Sequence, residues 1–481
     1  MAFNSTMTYF RVPEEYPRYK SYGWRPSEED ANVVPFLGLT LAFTALVFVV
    51  ETLLDARQLA KFDDAKKVPK ELDGVVDQET FDKANTYGSD KFRFGIFEAV
   101  IMFGEGIALL LGGYMPFNWD LAGHLLFMTG LLNDSSSPMY QEITTTVVFM
   151  FLLTLHDTFV SLPFSLFKTF HVEEKHGFNK TTVGLYFRDK LMGLALTVGL
   201  GFPVAAAVVW LVRWGGPYFY FYVWAFLFVV SIVLMTIYPT VIAPLFNKYT
   251  PLSKGPLYEA IEKLAKRVEF PLTKLFVVDG SKRSAHSNAY FYGFFKNKRI
   301  VLFDTLVEQV EQPELLAILG HEIGHWKLWH TQQGFIITQV YTFALFLAFS
   351  FVQNNHDLFH SFGFNFSRAI DPPVFVGLML FSQTFWQPVD KLLTLAMNFN
   401  SRRNEFAADR YADGLGMGED LCKGLIKISV ENLGNMVPDS LYSLYHFSHP
   451  PLVERLRALN PSGKPLQVTI VKKNKEAKKD K

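Results

Sequence analysis

Two short stretches of this 481-residue chain carry side chains whose types and spacing suit metal-assisted hydrolysis. The first is His321-Glu322-Ile323-Gly324-His325, which continues a helix-favouring run, GluLeuLeuAlaIleLeuGly, after Pro313. Residues four apart share one face of a helix, so both imidazoles can reach a single ion while Glu322 faces the space beside it. This is the H-E-x-x-H spacing of zinc hydrolases, in which the glutamate serves as general base. Alone, the pentapeptide is only moderately specific. A catalytic zinc needs a third protein ligand and an open position, and Asn404-Glu405-Phe406-Ala407-Ala408-Asp409 offers one. Glu405 completes a His₂Glu set, and Asp409, four residues on, can accept the second N–H of a ligating histidine and fix its tautomer. Glu322 is then the base for the attacking water. A developing oxyanion asks for a further donor, and His449, beside Pro450 and Pro451, is the candidate. Cys422, the single cysteine, stands apart from these groups and reads as a small buried residue.

Between Pro244 and the metal helix the pattern turns β-like. Leu275–Val278 and Ile300–Phe303 are apolar and rich in branched residues, Ala289–Phe295 is aromatic, and Lys296-Asn297-Lys298 suits a turn, so a hairpin is expected. An edge strand beside the metal can pair main chain to main chain with an extended peptide, although a hairpin used only for packing has the same pattern.

Composition describes what carries this site. Lys+Arg and Asp+Glu balance at 46 each, charged residues are 19%, apolar residues 49% and aromatic residues 16%. A disordered chain would be less apolar and more charged, a nucleic-acid binder would show a basic excess, and a disulfide scaffold needs paired cysteines. The apolar residues fall in seven blocks: Val33–Leu54, Phe94–Gly113, Thr144–Pro163, Leu191–Val212, Tyr218–Ala243, Phe335–Val352 and Val374–Met397. Each has the ~20-residue length that spans a bilayer as a helix. Leu121–Leu132 is too short to join them. Basic residues concentrate in Asp55–Phe92 (seven) and Ser165–Lys190 (five), while Tyr114–Ile143 has none and Gln353–Pro373 has only Arg368. By the positive-inside rule the N-terminus is lumenal and the C-terminus cytosolic. The Asn-x-Ser/Thr triplets at Asn4, Asn133 and Asn365 agree with this orientation, and the one at Asn179 does not. No cleavable signal is evident at the N-terminus, so the first span reads as an uncleaved anchor. Polar groups inside the blocks, Glu98, Glu105, His156, Asp157, Gln383, Gln387 and Asp390, are expected to line a hydrated intramembrane space, with structural ion pairs as the alternative. Lys478 and Lys479 in the basic tail have the placement of a dilysine retrieval signal for the endoplasmic reticulum.

The chain accordingly divides into a lumenal segment 1–31, five spans with their loops over 32–243, and a cytosolic catalytic region 244–334. Two further spans occupy 335–398, the third-ligand region 399–463, and a basic tail 464–481. The strings ETLLDARQ (Glu51–Gln58), FHVEEKHGFN (Phe170–Asn179), IAPLFNKY (Ile242–Tyr249), GSKRSAHSNAYFYGFF (Gly280–Phe295), HEIGHWKLWH (His321–His330), SRRNEFAAD (Ser401–Asp409) and SHPPLVER (Ser448–Arg455) are far more specific. On these the chain resembles the CaaX prenyl endoproteases, integral membrane zinc metalloproteases. The resemblance implies a mainly α fold, with seven transmembrane helices around a large hydrated chamber and a zincin-like α+β catalytic domain. It implies one Zn²⁺ on His321, His325 and Glu405, with Glu322 and His449 catalytic. It implies Asn288, Ala289 and Tyr290 as a platform for the substrate backbone, and a substrate-side role for Arg455. The substrates would be farnesylated or geranylgeranylated CaaX proteins, cut after the prenylated cysteine by a monomer in contact with membrane lipid and no nucleic acid. The membrane would be that of the endoplasmic reticulum, with the inner nuclear membrane as a second location. Asn404 departs from the family pattern, where an aromatic residue is common, and the insertion of animal members before the metal helix is missing. A related quality-control membrane protease, and a silent scaffold or transporter, stay open as alternatives.

Overall fold

The structure is a computed structural model that describes residues 35–293, 297–366, 371–463 and 466–468. The expected lumenal segment 1–31, Asn4, Arg368, Lys296 of the predicted turn and the dilysine-like tail lie outside the described residues.

Long apolar helices open the described part of the chain. α1 (Phe36–Asp64) and α2 (Gln78–Leu111) are followed by α3 (Tyr114–Met128) and α4 (Pro138–Phe167). Their starts are written in the sequence. The Asp77 side chain accepts from Thr80 N at 2.7 Å to begin α2, and Ser137 followed by Pro138 begins α4, both favoured N-terminal arrangements. Gly113, at φ 69°, makes the left-handed turn that ends α2 and starts α3. α5 (Val183–Leu196) and α6 (Phe202–Gly215) run to Gly216, where the chain folds back into α7 (Phe219–Ile237) and the short α8 (Ala243–Phe246).

A small sheet and its helices come next: β1 (Tyr249–Pro251), α9 (Pro256–Arg267), β2 (Leu272–Val278), β3 (Ala289–Tyr292) and β4 (Lys298–Phe303). The strand order is β1-β2-β4-β3, with β2 and β4 parallel and β3 antiparallel to β4, Ala289 opposite Leu302 and Tyr292 opposite Arg299. The expected hairpin is therefore β3–β4, and β3 is an edge strand. α10 (Asp304–Gln309) and α11 (Gln312–Lys327) lead to the long α12 (His330–Ser350) and to α13 (His356–Ser361). α14 (Val374–Phe381), a wide turn Ser382–Trp386 and α15 (Gln387–Gly414) form one bent rod. α16 (Gly418–Glu431), α17 (Ser440–His446) and α18 (Leu452–Leu459) complete the described chain.

Among the described residues, five helical stretches are long and apolar enough to cross a membrane, and the 64-residue Val183–Phe246 stretch holds both arms of the Gly216 turn. The expected seventh span, Val374–Met397, is not among the five, since Gln383, Gln387 and Asp390 lower its apolar character. α1 packs on α2, α3 on α4, α4 on α6, α6 on α7 and α7 on α12, and Ser382–Trp386 returns to α1. In the most apolar windows of α2 and of Val183–Phe246, 0% of residues are buried. A solid bundle buries an inner stripe of each helix, so over those windows the helices leave open space beside them, while Val209, Phe219 and Val223 of α6 and α7 are buried with Phe346 of α12. His156, Asp157, Gln383 and Gln387 border that space, as expected, in a cavity of about 390 Å³. His156 also lies 3.3 Å from Glu105, the arrangement that the ion-pair alternative describes. At the end away from the sheet, fully buried Glu142 ties three elements together, bonding Arg213 at 2.7 Å and accepting Val374 N at 2.7 Å. Trp119, Phe149 and Phe359 pack the same end.

Candidate metal centre and active site

The sheet and α11 share one apolar core, in which Leu302, Leu306, Leu315, Leu319 and Ile323 are buried together. α11 starts on a capping box: Glu311 N–H donates to Glu314 Oε2 at 2.8 Å. Its register is thereby fixed before the histidines are reached. Gly324, inside the motif, faces α15 so closely that a Cβ there would lie 3.2 Å from Ala408 Cα. The missing side chain allows the crossing that brings Glu405 onto the histidines.

At that crossing His321 Nε2 and His325 Nε2 face each other at 3.1 Å. Glu405 Oε2 lies 3.4 Å from His321 Nε2, and Glu405 Oε1 lies 3.3 Å from His325 Nε2. One ligand atom from each residue falls within 4.8 Å of the others. Asp409 Oδ1 is 2.8 Å from His321 Nδ1, which assigns that ring's proton to Nδ1 and leaves Nε2 a lone pair. His325 Nδ1 faces His330 Nδ1 at 3.0 Å, so its second nitrogen is oriented as well. Glu405 Oε2 is buried without a hydrogen bond. Two imidazole lone pairs and a carboxylate thus converge where a cation would satisfy all three.

The electrostatics agree. Burial alone would lower the His321 pKa, yet the carboxylates of Asp409 and Glu405 raise it to about 9. Burial pushes Glu405 up, but the two histidines hold its carboxyl well below the ordinary carboxylate range. A site that draws positive charge this strongly and offers N, N and O donors fits a divalent ion of the zinc type.

The residues singled out by motif all surround this point. Asn288, Ala289, Glu322 and His449 line a cleft of about 470 Å³ with the three candidate ligands, against an aliphatic wall that includes Leu306, Ile318 and Leu425. Burial raises the Glu322 carboxyl, with His321 and His325 opposing. His449 Nε2 is 3.3 Å from Glu405 Oε1, and its side chain is 68% exposed, free to meet a ligand. Tyr290 borders the adjoining space with Glu322 and His325. Arg455 lines the cleft while bonding Asp409 through Nε at 2.8 Å and Nη2 at 2.5 Å. Cys422 is buried, as expected.

Two features escaped the motif reading. His330 stands behind His325 because Trp329, at φ 63°, breaks the helix between α11 and α12 and turns the next residue back. The HEIGHWKLWH string contains it, but helical spacing alone does not. The other is a clamp from α1 onto α17, the helix just before His449. Arg57 bonds Asp439 with 2.9 and 3.2 Å contacts, Gln58 accepts from Asp439 N at 2.8 Å, and Glu51 receives both Lys391 Nζ and Tyr445 OH. These residues lie in or beside the ETLLDARQ string, and no local spacing ties them to a segment so distant in sequence.

Comparison with known proteins places the whole arrangement. Residues 58–248 match the family described as CAAX prenyl protease N-terminal, five membrane helices, and residues 251–462 match peptidase family M48. A CAAX prenyl protease 1 homolog of Arabidopsis thaliana is 46% identical over 432 residues, 90% of this chain and 99% of that protein. The chain belongs to the CAAX prenyl protease family. The Homo sapiens homolog is 42% identical over 88% of the chain and 94% of its own length. The CAAX prenyl protease 1 of Saccharomyces cerevisiae is 39% identical over 89% of the chain. The crystal structure of S. mikatae Ste24p superposes with a TM-score of 0.82 at 38% identity, covering 89% of this chain and 99% of that one. The mainly helical arrangement with a small sheet is thus the fold of that solved structure.

Proposed function

We propose that this protein is a zinc-dependent CaaX prenyl endopeptidase, which hydrolyses the peptide bond after a farnesylated or geranylgeranylated cysteine and releases the last three residues. The observation that carries the reading is the convergence of His321, His325 and Glu405 on one point beside Glu322, in a cleft bordered by an edge strand. Zinc held by those three residues supplies Lewis acidity toward the scissile carbonyl. The chain's own groups do the rest. The substrate backbone lies extended against β3, with Asn288, Ala289 and Tyr290 holding it by main-chain and amide contacts. Glu322 takes a proton from water as its oxygen attacks the carbonyl carbon. It then delivers that proton to the amide nitrogen as the carbon–nitrogen bond breaks. A carboxyl raised by burial is better matched to both halves of that transfer. His449 donates to the oxyanion. Asp409 keeps the His321 proton on Nδ1, and Arg455 holds Asp409 in place beside the substrate path.

In this reading the rod of α14 and α15 is the seventh crossing, the N-terminus is lumenal, and the catalytic sheet is on the basic, cytosolic side of the endoplasmic reticulum membrane, with the protein acting as a monomer. The isoprenoid occupies the open space between the helices. Mass spectrometry of a farnesylated CaaX peptide incubated with the purified protein tests this. Loss of the C-terminal three residues, abolished by a zinc chelator and restored by zinc, is expected. An uncut peptide with zinc bound would remove the assignment.

A further inference from the structure

Edge strand β3 sets a direction as well as a surface. It runs from Ala289, beside the candidate ligands, to Tyr292, and among the described residues only β4 pairs with it. A peptide added antiparallel, the commoner pairing, runs the other way. It enters along Tyr292 and Tyr290 and leaves past Ala289, Asn288 and Ser287. Resting on the function proposed above, three residues follow the scissile bond, and the last ends in a free carboxylate. At about 3.3 Å per residue that carboxylate reaches about 10 Å past the scissile carbonyl, on the His286 side.

A separate cavity of about 390 Å³ has His286, the residue before Ser287 of the catalytic cleft, on its walls with Lys91, Lys168, Glu173 and Tyr442. The His286 ring is held by stacking on Phe178, centroids 4.3 Å apart and 12° from parallel. Glu173 is already engaged: Tyr87 OH donates to both its oxygens at 2.9 and 3.0 Å, and His286 Nε2 lies 3.8 Å away. The two lysines differ. Neither Lys91 nor Lys168 makes a hydrogen bond or ion pair with a described residue, and Lys91 Nζ stands 4.1 Å from the Tyr87 ring centroid.

The geometry points to a recognition site for the substrate's terminal α-carboxylate, formed by Lys91 and Lys168 in the cavity beyond His286. Asp55 and Glu98 border the same cavity. Their negative charge weakens the hold on any anion, which suits a tripeptide product that must leave. The site would also favour chain ends over internal peptide bonds, because only an end brings the charge.

The test compares a farnesylated CaaX peptide as free acid and as C-terminal amide, with zinc-loaded wild type, Lys91→Met, Lys168→Met and the double variant. Wild type should cut the acid about 10–100-fold better in kcat/KM, the discrimination expected of a charged hydrogen bond, with the difference mainly in KM. The double variant should cut both peptides at the wild-type amide rate. Lys91→Arg and Lys168→Arg should keep the preference for the acid. The acid-to-amide ratio is internal to each preparation, so partial misfolding cancels. Equal rates on both peptides with wild type would overturn the site while leaving the peptidase intact, as would an acid preference that survives in the double variant. If wild type cuts neither peptide with zinc bound, the function itself falls and this site with it.

Discussion

Removing Asp409 separates metal orientation from charge burial. Its carboxylate is 1% exposed and makes three contacts: 2.8 Å to His321 Nδ1, and 2.8 and 2.5 Å to Arg455. In Asp409→Ala the His321 ring loses the acceptor that fixes its tautomer. Losses of this kind lower metal affinity about 10–100-fold, or about 1.4–2.7 kcal/mol. The same change takes both close hydrogen bonds from the Arg455 guanidinium, whose side chain is only 11% exposed, and leaves it Glu405 Oε2 at 3.8 Å as its remaining carboxylate. Removing one partner of a buried pair destabilises by about 3–5 kcal/mol. The two effects part in the double variant Asp409→Ala/Arg455→Met. Removing the guanidinium charge should recover most of the lost thermal stability and none of the lost zinc affinity. The assays are zinc content after equilibration with graded chelator and thermal unfolding of the detergent-solubilised protein. Wild-type zinc retention in Asp409→Ala at every chelator concentration would refute the role given to Asp409. Full recovery of zinc affinity in the double variant would show that Asp409 serves only as a counter-charge.

Glu322→Gln should retain zinc and lose cleavage; full activity with metal bound would exclude Glu322 as the base. His449→Ala should lower kcat by about 10²–10³-fold, as loss of an oxyanion donor does, with zinc content unchanged. Asp439→Asn should lower the melting temperature near neutrality by weakening the Arg57 clamp. Burial would raise the Asp439 carboxyl, but Arg57 and the amides of Tyr442 and Leu441 hold it below its ordinary value. A lowered folded-state pKa means the ionised carboxylate stabilises above about pH 4 and its contribution fades as pH falls through the lowered value. The difference in melting temperature between wild type and Asp439→Asn should therefore shrink in acid, and a constant difference would count against the ion pair. A tag on the N-terminus should be protected from protease in sealed microsomes and a C-terminal tag digested; the reverse pattern would invert the orientation.

What could be read in the sequence followed the range of each signal. The pair His321/His325 and the pair Glu405/Asp409 are four-residue helical repeats, so each was legible on its own helix. Their meeting was not, because it depends on how α11 crosses α15. A trace of that crossing is Gly324, whose meaning appears when Ala408 is seen against it. The apolar blocks were legible because bilayer thickness fixes their length. The bent rod of α14 and α15 was less so, since an intramembrane site needs the polar groups that weaken a hydropathy signal. Tyr341 OH bonds Asp390 at 2.9 Å and accepts Trp386 Nε1 at 2.9 Å, so part of that polarity is internally satisfied. The parallel pairing of β2 with β4 left no local mark at all, because β3 separates them in sequence.

The two halves of the site are anchored differently. The candidate ligands sit on α11 and α15, two helices locked by a buried core and a close crossing, so the metal geometry is stiff. His449 sits on a loop after α17, and α17 is held by Arg57, Gln58 and Glu51 of the first membrane helix. Glu51 of α1 also bonds Lys391 at the start of α15, the helix that carries Glu405, so α1 is tied both to the segment that precedes His449 and to a ligand-bearing helix. The contacts of Glu51, Arg57 and Gln58 thus join the first membrane helix to both segments that close the candidate site.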